Sequence, residues 1–512
     1  MPSLSVHQYN DVKSVFDTLQ GQFTIDDDQL VEITKRFLDE FKEGLESYGK
    51  DMAMIPSFVA GVPDGTEKGT YLALDLGGTN LRVCEVTLNG DKTFSLSQKK
   101  YKVSDTLKQG EASALFDYIA ESVDAFLTQH SKADYTSGDK AGDSVYLGFT
   151  FSFPVEQHAL DKGKLLTWTK GFSAKNAVGD DVVQLLQRAF DRKHMHVKCV
   201  ALVNDTVGTL LTRAYIAGGA LIGAIFGTGT NGAYVEDMEK IGKLHGSAVA
   251  TRADQMIINC EWGAFNNART HLPLTPYDNI LDRLSINPKY QTFEKFISGM
   301  YLGEILRLII LALVDAVPKP ILFNGTSAPA LNDHYGIDTA FMSQVEEAWI
   351  GKDHSPEAYE LPPLHDFDES KLTDKTRPKL KVIKDAIVEH LKVKSENVSF
   401  RDAAVVRWLC DLVARRAAHL SGAAVAAILI QTSRARLRGD TSSPLKYPNE
   451  AVIGVGVDGS LVEHYPGFQD KIRASLRFLV GEDVEKRVDV GLAKDGSGVG
   501  AALGALQALK QL

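Results

Sequence analysis

The sequence predicts an α/β protein of two or more domains, and three observations predict it. Apolar runs of strand length alternate with stretches of helical periodicity, the pattern of strands interleaved with crossover helices. A strand, a polar glycine turn and a second strand recur at 70–88, 220–236 and 451–464. The chain is 512 residues long, more than one hydrophobic core ordinarily organises.

The elements follow in order. Leu30, Ile33, Phe37, Leu38, Phe41 and Leu45 stand at helical spacing and Gly49 follows as a stop signal, which predicts a helix over 28–48. A link rich in Pro and Gly (55–69) leads to a strand over 70–78, a strand over 81–88 and a hairpin signal at Asn89-Gly90. Strands are expected at 144–149 and 199–203, on both sides of the turn 227–231, and on both sides of Asp458-Gly459-Ser460, the last of them over 461–464. Helical stretches fall at 182–190, 206–216, 293–316, 403–430 and 501–512. The recurrence is too irregular and widely spaced for a solenoid. Residues 352–397, with Pro356, Pro362, Pro363 and Pro378, read as a solvated excursion with helical pieces, and 432–448 as a surface loop.

Composition excludes several classes. Lys and Arg number 56 against 66 Asp and Glu, a net charge of −10, so there is no broad electrostatic footprint for nucleic acid or an anionic membrane. The four cysteines, Cys84, Cys199, Cys260 and Cys410, are scattered and form neither a disulfide framework nor a zinc motif. His194, His196 and Cys199 offer three candidate ligands where a structural zinc site takes four. Residues 1–26 lack the pattern of a secretory leader. Apolar runs such as 308–314 and 423–430 are too short to span a bilayer. The expectation is a cytoplasmic protein with no membrane anchor.

The chemistry is carried by turns and strand ends. No G-x-x-x-x-G-K-[ST] is present, which excludes a P-loop. The G-x-G-x-x-G matches at 227–232 and 454–459 run into strand-like sequence where a dinucleotide fingerprint opens a helix. In Asp75-Leu76-Gly77-Gly78-Thr79-Asn80, adjacent glycines let backbone N–H groups approach an anion. Asp75 suits a water-ligated Mg²⁺, Thr79 and Asn80 suit phosphate oxygens, and Arg82 adds positive charge; a hairpin with a polar tip is the alternative. The glycine cluster Asp495–Gly500 opens a helix, where phosphate contacts and simple capping both fit. Asp205 ends an apolar run and starts a helix, so it either faces a ligand at a strand end or caps the helix. Ser152, Phe153, Thr169, Lys170, Glu261 and Glu294 stand at similar junctions and offer the donor and acceptor mixture that sugar hydroxyls require. Each carboxylate alone also suits a solvated charge or an ion pair, and no spacing joins them.

Taken together, LALDLGGTNLRV (72–83), LGFTFSFPV (147–155), WTKGF (168–172), VNDTVGTL (203–210), FGTGTNGAY (226–234), INCEWGAF (258–265), FEKFISGMYLGEILR (293–307), VGVDGSLVEHYPGF (455–468) and DGSGVGAAL (495–503) resemble the eukaryotic hexokinase/glucokinase family, in look closest to its fungal members. The resemblance covers nearly the whole chain. It implies a two-lobed actin-like ATPase (hexokinase) fold, with duplicated βββαβαβα-type cores and a cleft between them. By that likeness, an N-terminal helical segment (1–66) packs on the large lobe (204–490), and the small lobe (67–203) receives the C-terminal helix (491–512).

The implied reaction is transfer of the γ-phosphoryl group of Mg-ATP to a hexose 6-hydroxyl, with glucose, mannose and fructose unranked and oligomeric state unspecified. By the same likeness Asp205 is the general base, with Lys170 beside it. Ser152, Phe153, Thr169, Lys170, Asn204, Asp205, Asn231, Glu261 and Glu294 hold sugar. Asp75, Gly77, Gly78, Thr79, Asn80, Arg82, Thr228, Gly229, Thr339, Ser343, Gly459, Ser460 and Gly498 hold nucleotide. Mg²⁺ arrives with ATP, bridged by water to Asp75 and Asp205, and has no direct protein ligand. Met300 replaces a polar residue of some members, and the 352–397 excursion departs from the short vertebrate glucokinase pattern. A catalytically inactive sugar sensor and an actin-like or chaperone-type ATPase are the competing classes.

Overall fold

The computed structural model describes residues 12–77, 80–130, 145–168, 171–351, 355–448 and 450–511. In chain order its strands are β1 (Ile55–Pro56), β2 (Lys68–Leu76), β3 (Asn80–Asn89), β4 (Phe94–Lys102), β5 (Val145–Phe151), β6 (Val155–Ala159), β7 (Lys162–Leu165), β8 (Val197–Val203), β9 (Ile222–Phe226), β10 (Thr230–Asp237), β11 (Gln255–Asn259), β12 (Ile453–Asp458) and β13 (Val488–Leu492). One sheet has the order β4-β3-β2-β5-β8 and the other β1-β11-β10-β9-β12-β13, with β6 and β7 as a separate hairpin.

The two sheets share a plan. Strands β2, β3 and β4 form an antiparallel meander, and β5 and β8 join β2 in parallel. Strands β9, β10 and β11 repeat the meander, and β12 and β13 join β9 in parallel. Apart from the edge strand β1, each sheet is ordered third, second, first, fourth, fifth. The first two of the three recurring glycine turns therefore occupy equivalent places in a duplicated α/β core.

The third turn is not a hairpin. Strand β12 lies parallel to both neighbours, and parallel strands require a crossover. The expected strand over 461–464 is accordingly the helix Ser460–His464. Three other expectations change. A helix Val12–Phe23 precedes Asp27–Glu46. The long helix expected over 293–316 breaks at Ser298 into Thr292–Ile297 and Gly299–Val314. In the excursion, the helix Thr376–Leu391 buries Leu380, Ile383, Ala386, Ile387 and Leu391. Burying such large aliphatic side chains stabilises by roughly 1.5–3 kcal/mol apiece, so this segment belongs to the core. The helix Phe400–Gln431 is long and apolar enough to cross a membrane, but it is largely buried inside the protein.

Strand alternation aims the future site. Leu72, Leu74 and Leu76 on β2 face one core, which also holds Leu81 and Val83 of β3. Tyr71 and Ala73 face the other core with Cys84 and Val86. With side chains alternating at period two, Asp75 and Arg82 fall on that second, inner face.

The inner face is covered by the C-terminal helix Gly496–Gln511, which packs on β2, β5 and β8 of the first sheet. The helix Asp205–Ala217, which follows β8, packs instead on β9, β10 and β12 of the second sheet. Each unit thus lends its last helix to the other, and the two helices cross with their backbones touching. A Cβ on Gly500 would lie 2.1 Å from Gly208 Cα, and one on Gly208 would lie 2.8 Å from the Gly496 carbonyl. Only glycine allows that approach.

The substitution Gly500→Val forces the two helices apart. It should lower the unfolding free energy by at least the ~1–3 kcal/mol of ordinary overpacking, read as a lower urea midpoint. An unchanged midpoint would show that the crossing is not tight.

Candidate active site

Both crossing helices begin at the same place, and the phosphate-type turns surround it. Asp75 and Arg82 are direct cross-strand partners on β2 and β3. Arg82 Nε donates to Asp75 Oδ2 at 2.7 Å and Nη2 donates to Ser497 Oγ at 2.7 Å, and the same guanidinium is ion-paired to Asp75 through Nη2. Asp495 stands 3.8 Å from Arg82 Nη1. Arg82 is therefore committed to protein carboxylates and to the first turn of the C-terminal helix. At the β2–β3 turn the Gly77 amide donates to the Asn80 carbonyl at 3.3 Å, and Asn80 is exposed. Gly78 and Thr79 lie outside the described residues.

The equivalent β9–β10 turn is Gly227-Thr228-Gly229. The Gly227 amide donates to the Gly229 carbonyl at 3.0 Å. The amides of Gly299 and Met300 donate to the Gly227 and Thr228 carbonyls at 2.7 and 3.1 Å. This leaves the Thr228 side chain exposed at the tip. Gly459, at the end of β12, abuts the same turn: its φ is +116°, and a Cβ there would lie 2.4 Å from the Phe226 carbonyl. Ser460 beside it is exposed. Gly498 is buried with Cys84 behind it, 3.2 Å from where its Cβ would stand. Thr339 and Ser343 lie on the helix Thr339–Ile350. Their hydroxyls donate to the Gly299 carbonyl at 2.6 Å and the His464 carbonyl at 2.8 Å, which ties that helix to the turn and to the Ser460 segment.

Asp205 is not the helix cap. Asn204 is the N-cap, and its Oδ1 accepts from the Thr206 amide at 2.8 Å. Asp205 is the first residue of the helix, where its charge favours the positive end of the macrodipole, and its Oδ1 accepts from Thr206 Oγ1 at 3.3 Å. Capping is done by another side chain, so the Asp205 carboxylate is not used up in that role. Burial pushes the Asp75 carboxyl above its ordinary range; Arg82 opposes this and the charge of Asp205 adds to it. Burial likewise raises Asp458, again with a contribution from Asp205. Asp75 and Asp458 thus each feel the charge of Asp205 at the seam.

The other side of Asn204–Asp205 is a pocket between the sheets. It is lined by Phe151, Phe153 and Gln157 of the first lobe, by Asn204, and by Ile55 and Asn259 of the second sheet, among others. A polar chain runs on from Asn259: Asn231 Nδ2 donates to Asn259 Oδ1 at 2.7 Å, and Asn259 Nδ2 donates to Glu261 Oε1 at 2.8 Å. Glu261 holds a left-handed backbone (φ +56°), a conformation a non-glycine residue keeps only when its surroundings over-determine it. The surroundings are Trp262, fully buried with Nε1 donating to Thr230 Oγ1 at 3.0 Å, and Phe265, stacked on Phe37 at 3.6 Å. Glu294 Oε2 accepts from the Thr230 amide at 3.0 Å, next to the Gly229 turn. Ser152 is buried just after β5, its amide donating to the Leu76 carbonyl at 3.4 Å.

Thr169 and Lys170 lie outside the described residues. The flanking Trp168 packs edge-on against Phe153 and stacks on Phe172, with Nε1 bonded to the Ala174 carbonyl at 2.9 Å.

The structure therefore brings Phe153 and Asn204 to one pocket, joins Asn231 and Glu261 to it through Asn259, and brings Asp75, Arg82 and Asp205 to the seam beside it. It also adds residues that the sequence reading did not single out. Asn259 links Asn231 to Glu261, and its position at the end of a strand just before Glu261 was the available signal. Ser497 joins the last helix to Arg82, and Asp458 faces Asp205. Both sit in the glycine clusters already noted.

Two family models described as hexokinase match residues 15–215 and 221–507. The chain is 41% identical to a glucokinase of Aspergillus niger over 500 residues, covering 93% of each chain. It is 37% identical to glucokinase-1 of Saccharomyces cerevisiae over 522 residues, covering 96% of each. Among solved structures, the hexokinase from Schistosoma mansoni complexed with glucose matches with a TM-score of 0.77 at 34% identity, over 96% of this chain and 99% of that one. Two lobes built on one strand plan, a carboxylate at their seam and full-length similarity of this degree place the chain in a single family: it belongs to the hexokinases, sugar phosphotransferases of the two-lobed α/β fold.

Proposed function

We propose that this protein transfers the γ-phosphoryl group of Mg-ATP to the 6-hydroxyl of glucose, with mannose and fructose as further acceptors to be tested. One observation carries the reading. Asp205 stands where the polar pocket meets the glycine turns, and Asn204 relieves it of capping.

Asp205 would orient the 6-hydroxyl and accept its proton. A loose phosphoryl-transfer transition state asks little of the nucleophile, so orientation and late proton acceptance suffice. Phe151, Phe153 and Trp168 wall the sugar side with apolar surface, which removes water as a competing nucleophile. The Thr228 and Gly229 amides, with those of Gly78 and Thr79 on the family resemblance alone, would bind the phosphates of ATP, with the Thr228 side chain and Ser460 at the rim. Lys170 is proposed as the cation beside the transferred group on the family resemblance alone.

The residues fit a magnesium ion carried in by the nucleotide. Asp75 and Asp458 both pay for burial near Asp205, a cost that a divalent cation offsets. Asp75 and Asp205 would hold the ion through water. Its contribution when bound is to neutralise charge on the phosphates.

Removing the base should be decisive. Asp205→Ala is expected to lower kcat by about 10²–10⁴-fold, the usual range for lost acid–base catalysis; a variant keeping most of its turnover would refute the assignment.

A second expectation concerns pH. Arg82 opposes the upward push that burial exerts on Asp75. Arg82→Met removes that opposition, so Asp75 takes up its proton at a higher pH. The acid limb of the kcat/KM profile for ATP should then move to higher pH, whereas an unmoved limb would separate Asp75 from nucleotide use.

A further inference from the structure

Five buried polar atoms cluster in the second lobe without a hydrogen-bond partner among the described residues: Glu346 Oε2, Trp349 Nε1, Arg407 Nε, Asp411 Oδ1 and Lys471 Nζ. They come from three helices, Thr339–Ile350, Phe400–Gln431 and Phe468–Val480. Arg407 Nη2 donates to Glu346 Oε1 at 3.1 Å. Lys471 Nζ stands 3.7 Å from Glu346 Oε1 and 3.5 Å from Asp411 Oδ1, and Arg415 pairs with Asp411 from the outside. Tyr359, from the excursion, closes the cluster. Its carbonyl accepts from Arg407 Nη1 at 3.1 Å and its ring lies 4.5 Å from Lys471 Nζ.

These charges hold one another chiefly by Coulomb attraction in a poorly solvated place, where the interaction is strong and where removing one partner leaves a buried charge uncompensated. Lys471, Arg415 and Arg407 together hold the Asp411 carboxyl below its ordinary range against the effect of burial.

The three helices lead to the nucleotide side. Ser343, one turn before Glu346, bonds the His464 carbonyl, and Thr339 bonds Gly299 beside the Gly227–Gly229 turn. The helix bearing Lys471 follows directly on the Ser460 segment. Tyr465 Oη donates to the carbonyl of Cys410, the residue before Asp411, at 3.4 Å.

We infer that Glu346, Arg407, Asp411 and Lys471 are positioning residues that set nucleotide affinity by fixing the Ser460 segment relative to the 227–229 turn, without touching the nucleotide. The inference rests on reading those two segments as the nucleotide site.

The test uses the full-length protein. KM for ATP and for glucose, and the affinities for ADP and glucose by calorimetry, are measured for wild type, Lys471→Met, Lys471→Arg and the double variant Glu346→Gln/Lys471→Met, with unfolding midpoints alongside. Lys471→Met should raise the ATP KM and the ADP dissociation constant roughly 3- to 30-fold, the span of coupling changes in such networks, with the glucose constants unchanged. Lys471→Arg, and the double variant in which the unpaired charge is removed, should recover most of the loss. If Lys471→Met does not fold, Glu346→Gln keeps the shape and carries the same selective expectation. A fall in the midpoint with nucleotide constants unchanged, or with ATP and glucose constants rising together, overturns the inference. A wild type that binds ADP but shows no glucose-dependent turnover would overturn the kinase reading while leaving the ADP comparison to decide the positioning role. A wild type that binds no ADP overturns both.

Discussion

Two helices cross with their backbones in contact at Gly208 and Gly500, and the arrangement of the rest follows from that contact. Each helix ends one duplicated unit and packs on the sheet of the other. The exchange ties the lobes together at one point and brings both helix N-termini to it. Asp205 begins one helix, and Ser497 sits in the first turn of the other. Small residues on the first sheet serve the same end. At Gly148 a Cβ would collide with the backbone of Ala501 in the C-terminal helix, so any larger residue there would push that helix off the sheet.

Helix termini at a seam attract anions, yet the protein places its own carboxylates there. Asp205 repels both Asp75 and Asp458, and burial pushes those two toward their neutral forms. Arg82, bonded to Asp75 and Ser497, offsets part of that cost. Under the proposed function, a metal–nucleotide complex bound at the seam would relieve this repulsion, and that relief would contribute to its binding. The Asn231–Asn259–Glu261 chain is hydrogen-bonded throughout and sits beside buried Trp262 and the Phe37–Phe265 stack, so under the proposed function its groups would be set in place before a sugar binds.

Local physics was legible in the chain. The β2–β3 turn could be read because glycine chemistry and two-residue alternation are properties of neighbouring residues. The duplication could be read for the same reason, but only at two of its three apparent instances. The strand expected over 461–464 was lost because hydrophobic runs of four residues do not reveal whether the preceding strand is paired in parallel. That Asn204 and not Asp205 caps the helix is a matter of side-chain geometry. Arg82 and Ser497 are 415 residues apart, and no periodicity links them. The excursion reads as solvated by composition, yet Leu380, Ile383 and Leu391 are buried and Tyr359 closes a charge cluster, contacts decided by the packing of distant helices. That Phe153 and Asn204, distant in sequence, line one pocket was anticipated only through the family resemblance.

The central claim is that the seam couples ATP to a sugar hydroxyl and to nothing else. The direct measurement is ADP release by the wild-type protein with glucose, with 6-deoxyglucose and with no sugar, at saturating Mg-ATP. The account predicts rapid release with glucose alone. Release at the same rate without sugar, or with the analogue that lacks the accepting hydroxyl, would contradict it.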